Sequence, residues 1–158
     1  MLISATHEIA TPRASIAGAP IVFQPHRDRA FDAPEPATPA RGGLAPWQIL
    51  RVKAHIESHL ESRIRIGDLA ALVRLSTGHF SRCFKHSFGV APLAYLAARR
   101  LARARDLMLT TDDPLCRIAL DCGFYDQPHL TRMFRRHSGS SPDRWRRLAT
   151  APARPYLP

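Results

Sequence analysis

The sequence predicts an all-α fold in which two helix-turn-helix subdomains are joined by a long linker helix, with about seven helices in all. The main observation is an internal repeat: the heptapeptide His79–Lys85 returns as His129–Arg135, matched in kind at every position, at an offset of 50. Such a repeat indicates one supersecondary unit used twice. Apolar residues also recur at helical steps of three and four, and no segment gives a confident strand pattern.

The copies extend beyond the heptapeptide on both sides. Downstream, Gly89 matches Gly139 at the same offset of 50. Upstream, Leu69 matches Ile118 at an offset of 49. One residue has therefore been added to the second copy, near Gly123. Because turns accept insertions and packed helices do not, each copy is predicted to be helix, short turn, helix.

The first elements come before the linker helix. Residues 1–44 are rich in proline and show no helical or strand period, which predicts a flexible arm; the short run Pro20–Phe23 resembles a strand without a partner. Pro46 begins a helix that runs to about Ser62. A short helix follows over Ile66–Val73. The predicted inward residues of these two helices are Ile49, Val52, Ile56 and Leu60, then Leu69, Leu72 and Val73.

The third helix is capped by Ser76 and ends near Gly89. Pro92 suits the first turn of the long linker helix. The predicted buried side of that helix consists of Leu93, Leu96, Ala97, Leu101, Ala104, Leu107 and Met108, while Arg99, Arg100, Arg103 and Arg105 lie mostly on its other faces.

The second copy repeats this order. A helix over Leu115–Cys122 leads to one capped by Asp126 and closed by Gly139, and Ser141-Pro142 begins a last helix to about Leu148. The predicted domains are an arm at 1–44, a first subdomain at 45–91, the linker helix at 92–111, a second subdomain at 112–148 and a frayed tail at 149–158.

The positive charge is concentrated after the arm. Residues 1–44 hold four arginines and four acidic residues, so the whole net charge of +10 lies in the remainder. Such a basic region favours nucleic acid or an anionic membrane as a partner. No stretch is long and apolar enough to span a membrane, and no secretory segment precedes the three cysteines. We therefore expect a reducing cytoplasmic setting, with nucleoid association, and buried thiols.

The third and sixth helices each have an apolar face and a polar face. Their predicted inward residues are Phe80, Cys83, Phe84 and Ser87, then Leu130, Met133 and Phe134. Their outward residues are Gly78, Ser81, Arg82 and Lys85, then Gln127, Pro128, Thr131, Arg132 and Arg135. The major groove of DNA admits an α-helix, arginine can read guanine and glutamine can read adenine, while later cations meet phosphates. The two recognition helices are predicted over about 77–87 and 127–138.

The linker helix has the length of a spacer. About 17 residues give a rod of roughly 25 Å, and successive major-groove segments lie about 34 Å apart. One chain therefore suffices to place both helices in adjacent segments of double-stranded DNA, which favours a monomer on a non-palindromic site.

The sequence resembles the AraC/XylS family of bacterial transcription regulators over about residues 46–148. The matching residues are Leu69-Ala70, Ser76, His79-Phe80, Arg82, Phe84-Lys85, Gly89 and Pro92, then Ile118-Ala119, Cys122–Phe124, Asp126, His129-Leu130, Arg132, Phe134, Gly139 and Ser141-Pro142. The resemblance implies promoter binding and activation through RNA polymerase. The base-reading residues it implies are Ser81, Arg82, Gln127, Thr131 and Arg132, and the expected backbone contacts are Thr77, His79, Lys85, His129, Arg135 and Arg136.

Three departures from the family pattern matter. Gly78 offers no side chain at a reading position, and Pro128 replaces the commoner serine. Residues 1–44 are too few and too proline-rich for the sugar-binding β-domain that many members carry. We therefore expect a stand-alone regulator without a small-molecule effector, whose activity follows its abundance.

Other functions remain open from the sequence alone. A non-specific basic nucleic-acid-binding protein, nucleoid or RNA-associated, fits the charge equally well. An enzyme is disfavoured, because the sequence has no carboxylate pair, phosphate-binding glycine loop or cysteine–histidine nucleophile. The cysteine and histidine spacings predict no metal site and no cofactor. The arginines of the linker helix suit a solvated face, phosphate contacts or a polymerase contact.

Overall fold

A computed structural model of the chain describes residues 42–151, which form seven α-helices and no strand within that range. The predicted fold class is confirmed. The expected arm, as far as residue 41 and including Pro20–Phe23, and the last seven residues of the expected tail lie outside the described residues. No helix between residues 42 and 151 is long and apolar enough to cross a membrane. The helices are α1 (Pro46–Ser58), α2 (Ile66–Leu72), α3 (Thr77–Phe88), α4 (Pro92–Thr110), α5 (Leu115–Asp121), α6 (Gln127–Ser138) and α7 (Pro142–Thr150).

Helices α3 and α6 begin and end at the residues the sequence predicts. The Ser76 hydroxyl accepts the His79 backbone N–H at 3.3 Å, and the Asp126 carboxylate accepts the His129 backbone N–H at 2.6 Å. These contacts satisfy a free donor in the first turn. Both helices end at a glycine, Gly89 or Gly139, whose φ of 73° is the left-handed conformation that stops a helix.

The turns before α3 and α6 locate the inserted residue of the second copy. The backbone N–H of Leu75 donates to Ala70, and that of Phe124 donates to Ala119, each at 2.9 Å. These two bonds are equivalent at an offset of 49, whereas the helix caps are equivalent at an offset of 50. The added residue is therefore Tyr125, whose side chain is 86% exposed.

Two hydrophobic cores are built on the two copies, and α4 contributes to both. The first unit, α1–α3, packs with Tyr95 and Leu96 of α4, and the second unit, α5–α7, packs with the rest of α4. Helix α4 is thus the last helix of the first unit and the first helix of the second. The first core consists of Leu44, Ile49, Val52, Ile56, Leu60, Leu69, Ala70, Val73, Phe80, Cys83, Phe84, Phe88, Tyr95 and Leu96. The second consists of Leu101, Ala102, Ala104, Met108, Ile118, Ala119, Cys122, Phe124, Leu130, Phe134 and Trp145.

The same aromatic contact recurs in both cores. Phe84 meets Tyr95 edge to face with ring centroids 5.5 Å apart, and Phe134 meets Trp145 in the same way at 5.7 Å. Each pair is related to the other by an offset of 50. The repeat therefore extends from sequence to side-chain packing.

Several predicted helix ends are wrong by a few residues. Helix α1 ends at Ser58 rather than Ser62: the His59 ring contacts the His55 carbonyl at 2.9 Å, and the His59 backbone N–H donates to Ile56 instead, at 3.2 Å. Helices α2 and α5 each end one residue earlier than predicted. Helix α7 continues past Leu148 to Thr150, and Ala149 packs against the second core, so the expected tail begins too early.

The predicted arm is wrong at its C-terminal boundary. Leu44 is buried in the first core, and its backbone N–H donates to the buried Ser87 hydroxyl at 2.8 Å. The chain is therefore fixed to α3 before α1 begins. Ser87 is inward, as predicted, because its hydroxyl supplies this acceptor.

The predicted buried side of α4 is only partly correct. Leu96, Leu101, Ala104 and Met108 are buried, and Ala97 and Leu107 are half-buried, but Leu93 is 64% exposed. Tyr95, Ala98 and Ala102 are buried instead. A single apolar stripe does not describe this helix, because its two ends face different cores. Leu72 and Met133, predicted to be inward, are half-buried.

The expectation that all three thiols are buried is wrong for Cys116, which is exposed on α5. Cys83 and Cys122 are buried, and burial raises the pKa of the Cys122 thiol to about 12. Because the thiolate is the reactive form, we expect one of the three thiols to react rapidly with a disulfide reagent at pH 8. The other two should react only as the protein unfolds. Cys116→Ser should abolish the fast phase, and two fast thiols in the folded protein would contradict the burial of Cys83 and Cys122.

Candidate nucleic-acid interface

The outward face of α3 carries the residues that the sequence places there. Arg82 and Lys85 are exposed, as is Gly78, while Ser81 is half-buried. The Ser81 hydroxyl donates to the Thr77 carbonyl at 2.8 Å, which leaves its lone pairs toward solvent. A side chain at Gly78 would be in contact with the Arg82 guanidinium, at 4.0 Å. Arg82 therefore lies back along the first turn of α3, the direction helical side chains take.

The outward face of α6 has the same organisation with different chemistry. Gln127, Pro128 and Arg132 are exposed, and Thr131 is half-buried. These four residues line one shallow surface hollow. Pro128 lies in the first turn of α6. A backbone N–H at that position has no acceptor within the helix, so the lack of one in proline breaks no helical hydrogen bond. The amide, the hydroxyl and the guanidinium thus project from one side of α6.

Six residues at the edges of the two faces are expected to contact the DNA backbone, and five of them are exposed. The exposed residues are Thr77, His79, Lys85, Arg135 and Arg136.

His129 is the exception, because it is half-buried. Its ring Nδ1 accepts the Tyr125 backbone N–H at 3.4 Å, and its ring packs edge to face on Phe124 at 5.4 Å. One ring nitrogen therefore has a structural role in the turn, and Nε2 is the atom left for any contact outside the protein.

Three of the four arginines of α4 contact the C-terminal end of α1 or the loop after it. Arg99 forms a bidentate pair with Glu57, at 2.6 and 2.8 Å, and Arg103 lies 3.6 Å from Glu61. Arg100 donates to the carbonyls of Leu60 and Ser62, at 3.0 and 2.6 Å. Of the three roles open from the sequence, a purely solvated face is wrong for these three residues, because Arg99 joins α4 to α1 and Arg100 and Arg103 join it to the loop after α1.

The two units meet at Gly123, in the turn of the second. Its φ is 75°, and a side chain there would overlap the Leu60 carbonyl oxygen and come within 2.8 Å of the Arg100 guanidinium. The loop after α1 therefore lies directly on the turn before α6. Desolvation at this junction lowers the pKa of Arg100 from its usual value, with Cys122 opposing that shift.

Sequence reasoning missed this junction and a second arginine contact. Arg146 of α7 donates to the carbonyls of Met108, Thr111 and Asp113, at 3.1, 3.0 and 2.8 Å. It thereby satisfies acceptors at and beyond the C-terminal end of α4. The only available signal was an arginine in a basic run, which does not identify a carbonyl partner. Between residues 42 and 151, no group of three or more metal-ligating side chains comes together.

Comparison with known proteins gives a family match over half of the chain. A family model described as a helix-turn-helix domain matches residues 69–148. The probable transcriptional regulator LumQ of Photobacterium leiognathi is 34% identical over 91 residues, which are 58% of this chain and 37% of that protein. The transcriptional activator RhaS of Escherichia fergusonii is 36% identical over 89 residues, which are 56% of this chain and 32% of that protein. The chain thus spans about a third of the length of these relatives.

A solved structure shares the arrangement of helices. The DNA-binding domain of AdpA, a global transcriptional factor crystallised in complex with a target DNA, superposes with a TM-score of 0.61 at 34% sequence identity. The superposition covers 63% of this chain and 89% of that domain.

Proposed function

The chain belongs to the AraC/XylS family of helix-turn-helix transcription regulators, and on that premise we propose that it binds a promoter sequence-specifically through α3 and α6. Each helix enters the major groove of double-stranded DNA, in two adjacent segments. The observation that carries the proposal is the duplicated outward face: Arg82 and Arg132 are both exposed, at equivalent positions of equally capped helices. RhaS and AdpA, which are named as transcription factors, have the same domain.

The proposed base-reading residues are those whose chemistry matches base edges. Arg82 and Arg132 each donate two hydrogen bonds to guanine. Gln127 forms two hydrogen bonds with adenine, and Ser81 and Thr131 form hydrogen bonds that do not distinguish the two bases. Phosphate contacts come from exposed residues at the edges of the faces, which fix the register without reading sequence. These are Thr77, His79, Lys85, Arg135 and Arg136, with His129 acting through Nε2.

The length of α4 supports simultaneous binding at two segments. Its 19 residues make a rod of about 28 Å, close to the spacing of about 34 Å between successive major-groove segments. The proposed units are the first subdomain at 45–91, the linker at 92–111 and the second subdomain at 112–148. A single copy of the chain then occupies both segments, and activation proceeds through contact with RNA polymerase in the cytoplasm.

Replacing Arg132 with alanine tests base reading. The variant should lose about 1–3 kcal/mol, roughly 5- to 150-fold in affinity, on a duplex selected from a random pool by the wild-type protein. It should lose little on a scrambled duplex, because phosphate contacts remain. Binding is measured by fluorescence anisotropy at fixed salt. Arg147→Ala is the matched control, since Arg147 is an exposed arginine of α7 paired with Asp143. Equal losses on the two duplexes would show that Arg132 meets the backbone and not a base.

The net charge of +10 supports one alternative, a non-specific nucleic-acid binder. The ratio of affinities for the selected and scrambled duplexes separates the two, because a specific factor should show roughly 10³ or more. A ratio near one, or failure to select any sequence, would favour the alternative.

A further inference from the structure

A groove of about 450 Å³ lies where the two units meet. One wall is the loop after α1, with Glu61, Ser62, Arg63 and Ile64. The other wall belongs to the second unit and includes Leu120, Gly123, Phe124, Tyr125 and His129, and Arg100 of α4 also lines the groove. We call this feature the junction groove. None of the DNA contacts proposed above, except His129, uses it.

Chain connectivity places the junction groove close to both outward faces. On the first unit, Ile64 lines the groove, and Ile66, two residues later, lines a hollow with Ser81, Arg82 and Lys85 of α3. On the second unit, Tyr125 lines the groove, and Gln127, two residues later, lines the hollow on the outward face of α6. The groove therefore begins within two residues, along the chain, of the hollow on each outward face.

The exposed groups of the junction groove suit an anion. Arg63 is exposed, and the inserted Tyr125 presents its ring and hydroxyl to solvent. The acidic residue of the groove, Glu61, is exposed and lies 3.6 Å from Arg103, which offsets part of its charge. The carbonyls of Leu60 and Ser62 are occupied by Arg100. The possible donors to a ligand are thus the Arg63 guanidinium, the Tyr125 phenol and the His129 Nε2, while Glu61 is the one carboxylate of the groove.

We propose that the junction groove binds the phosphate backbone of DNA between the two major-groove segments, with Arg63 and Tyr125 as donors to phosphate. This inference rests on the proposed function. A protein that occupies two successive major-groove segments must cross the strands that border the minor groove between them. Arginine forms charge-assisted bonds to phosphate, and tyrosine hydroxyls are common backbone donors.

In this arrangement the inserted residue Tyr125 has a role, which is to contact the DNA backbone. The first unit has no equivalent residue, because its turn passes directly from Leu75 to the capping Ser76. Only the second turn borders the junction groove. A residue added at that point reaches the backbone between the segments, where an added residue in the first turn would not.

The test measures the salt dependence of binding to a scrambled duplex and to a duplex selected by the wild-type protein. The slope of log K against log salt is negative, and loss of one phosphate contact by a cation reduces its magnitude by about 0.9. Arg63→Ala should show that decrease and an equal affinity loss on both duplexes. Tyr125→Phe should weaken binding about 2- to 10-fold with an unchanged slope, because it removes a hydrogen bond to phosphate from an exposed donor that carries no charge. Arg147→Ala, a surface arginine outside the groove, should change neither quantity.

The outcomes distinguish failure of the proposed function from failure of the junction-groove assignment alone. A wild-type protein that selects no duplex would overturn the proposed function itself. A wild-type protein that binds specifically, with the slope and affinity unaltered by Arg63→Ala, would overturn only the junction-groove assignment. Thermal unfolding of each variant checks the fold, and because Arg63 and Tyr125 are exposed, midpoints equal to that of the wild type are expected.

Discussion

Replacing Gly123 with alanine is expected to destabilise the protein by about 2–5 kcal/mol. Two effects add at this position. A non-glycine residue at a φ of 75° costs roughly 1–2 kcal/mol. The new methyl group would also overlap the backbone carbonyl of Leu60, and a backbone atom cannot move aside as the end of a flexible side chain can. The free energy of unfolding, from urea denaturation, measures the sum.

Gly139→Ala is the matched control for Gly123→Ala. Gly139 has nearly the same φ, 73°, but a side chain there meets no atom within 4 Å. Only the conformational cost of about 1–2 kcal/mol should appear. The difference between the two variants therefore isolates the contact between the units. Equal destabilisation by both would mean that the loop after α1 does not lie on the turn of the second unit.

The same contact bears on the proposed function, because Leu60 and Gly123 belong to different units. Any adjustment that relieves the overlap must move the loop after α1 away from the turn before α6. Where Gly123→Ala is still folded, we expect a larger loss of affinity for a selected two-segment duplex than for a duplex carrying one segment. Gly139→Ala should weaken the two duplexes alike.

Short sequence patterns are sufficient to predict where α3 and α6, the helices of the candidate interface, begin and end. Ser76 and Asp126 act as caps, and Gly89 and Gly139 end their helices, because each of these roles depends on a few neighbouring residues. The repeat supplied an independent check on both helices. It also located the added residue to within a turn, although only the hydrogen bonds of Leu75 and Phe124 identify it as Tyr125.

Contacts between the units could not be predicted from local patterns. Arg100 reaches carbonyls about 40 residues away in sequence, and an arginine that binds a carbonyl has the same local sequence as one in solvent. The exposure of Leu93 has a related cause. Helical periodicity assumes one buried face, whereas α4 turns different faces to two cores. Local sequence places Leu44 in the arm, because its hydrogen-bond partner, Ser87, lies 43 residues later.

Because the hydrophobic core is divided into two, a substitution that destabilises one unit is expected to leave the other unit largely folded. Phe84 and Phe134 are equivalent in the repeat and fully buried, and each lies in its own core. Truncation of a buried phenylalanine to alanine costs about 3–5 kcal/mol. We therefore expect Phe84→Ala and Phe134→Ala to destabilise to similar extents but in different places. Amide hydrogen exchange on the intact chain resolves the location, because it reports local unfolding.

In Phe84→Ala, protection should fall in α1–α3, where Phe84 packs on Phe80, Phe88 and Tyr95. In Phe134→Ala, it should fall in α5–α7. Helix α4 should lose protection in both variants, at its N-terminal end in the first and its C-terminal end in the second, because it completes both cores. Uniform loss across both units in either variant would instead mean that the contacts of Arg100 and Gly123 couple the two cores into one cooperative structure. The units would then hold their relative orientation as rigidly as each holds its own helices, and α4 would be the centre of a single core.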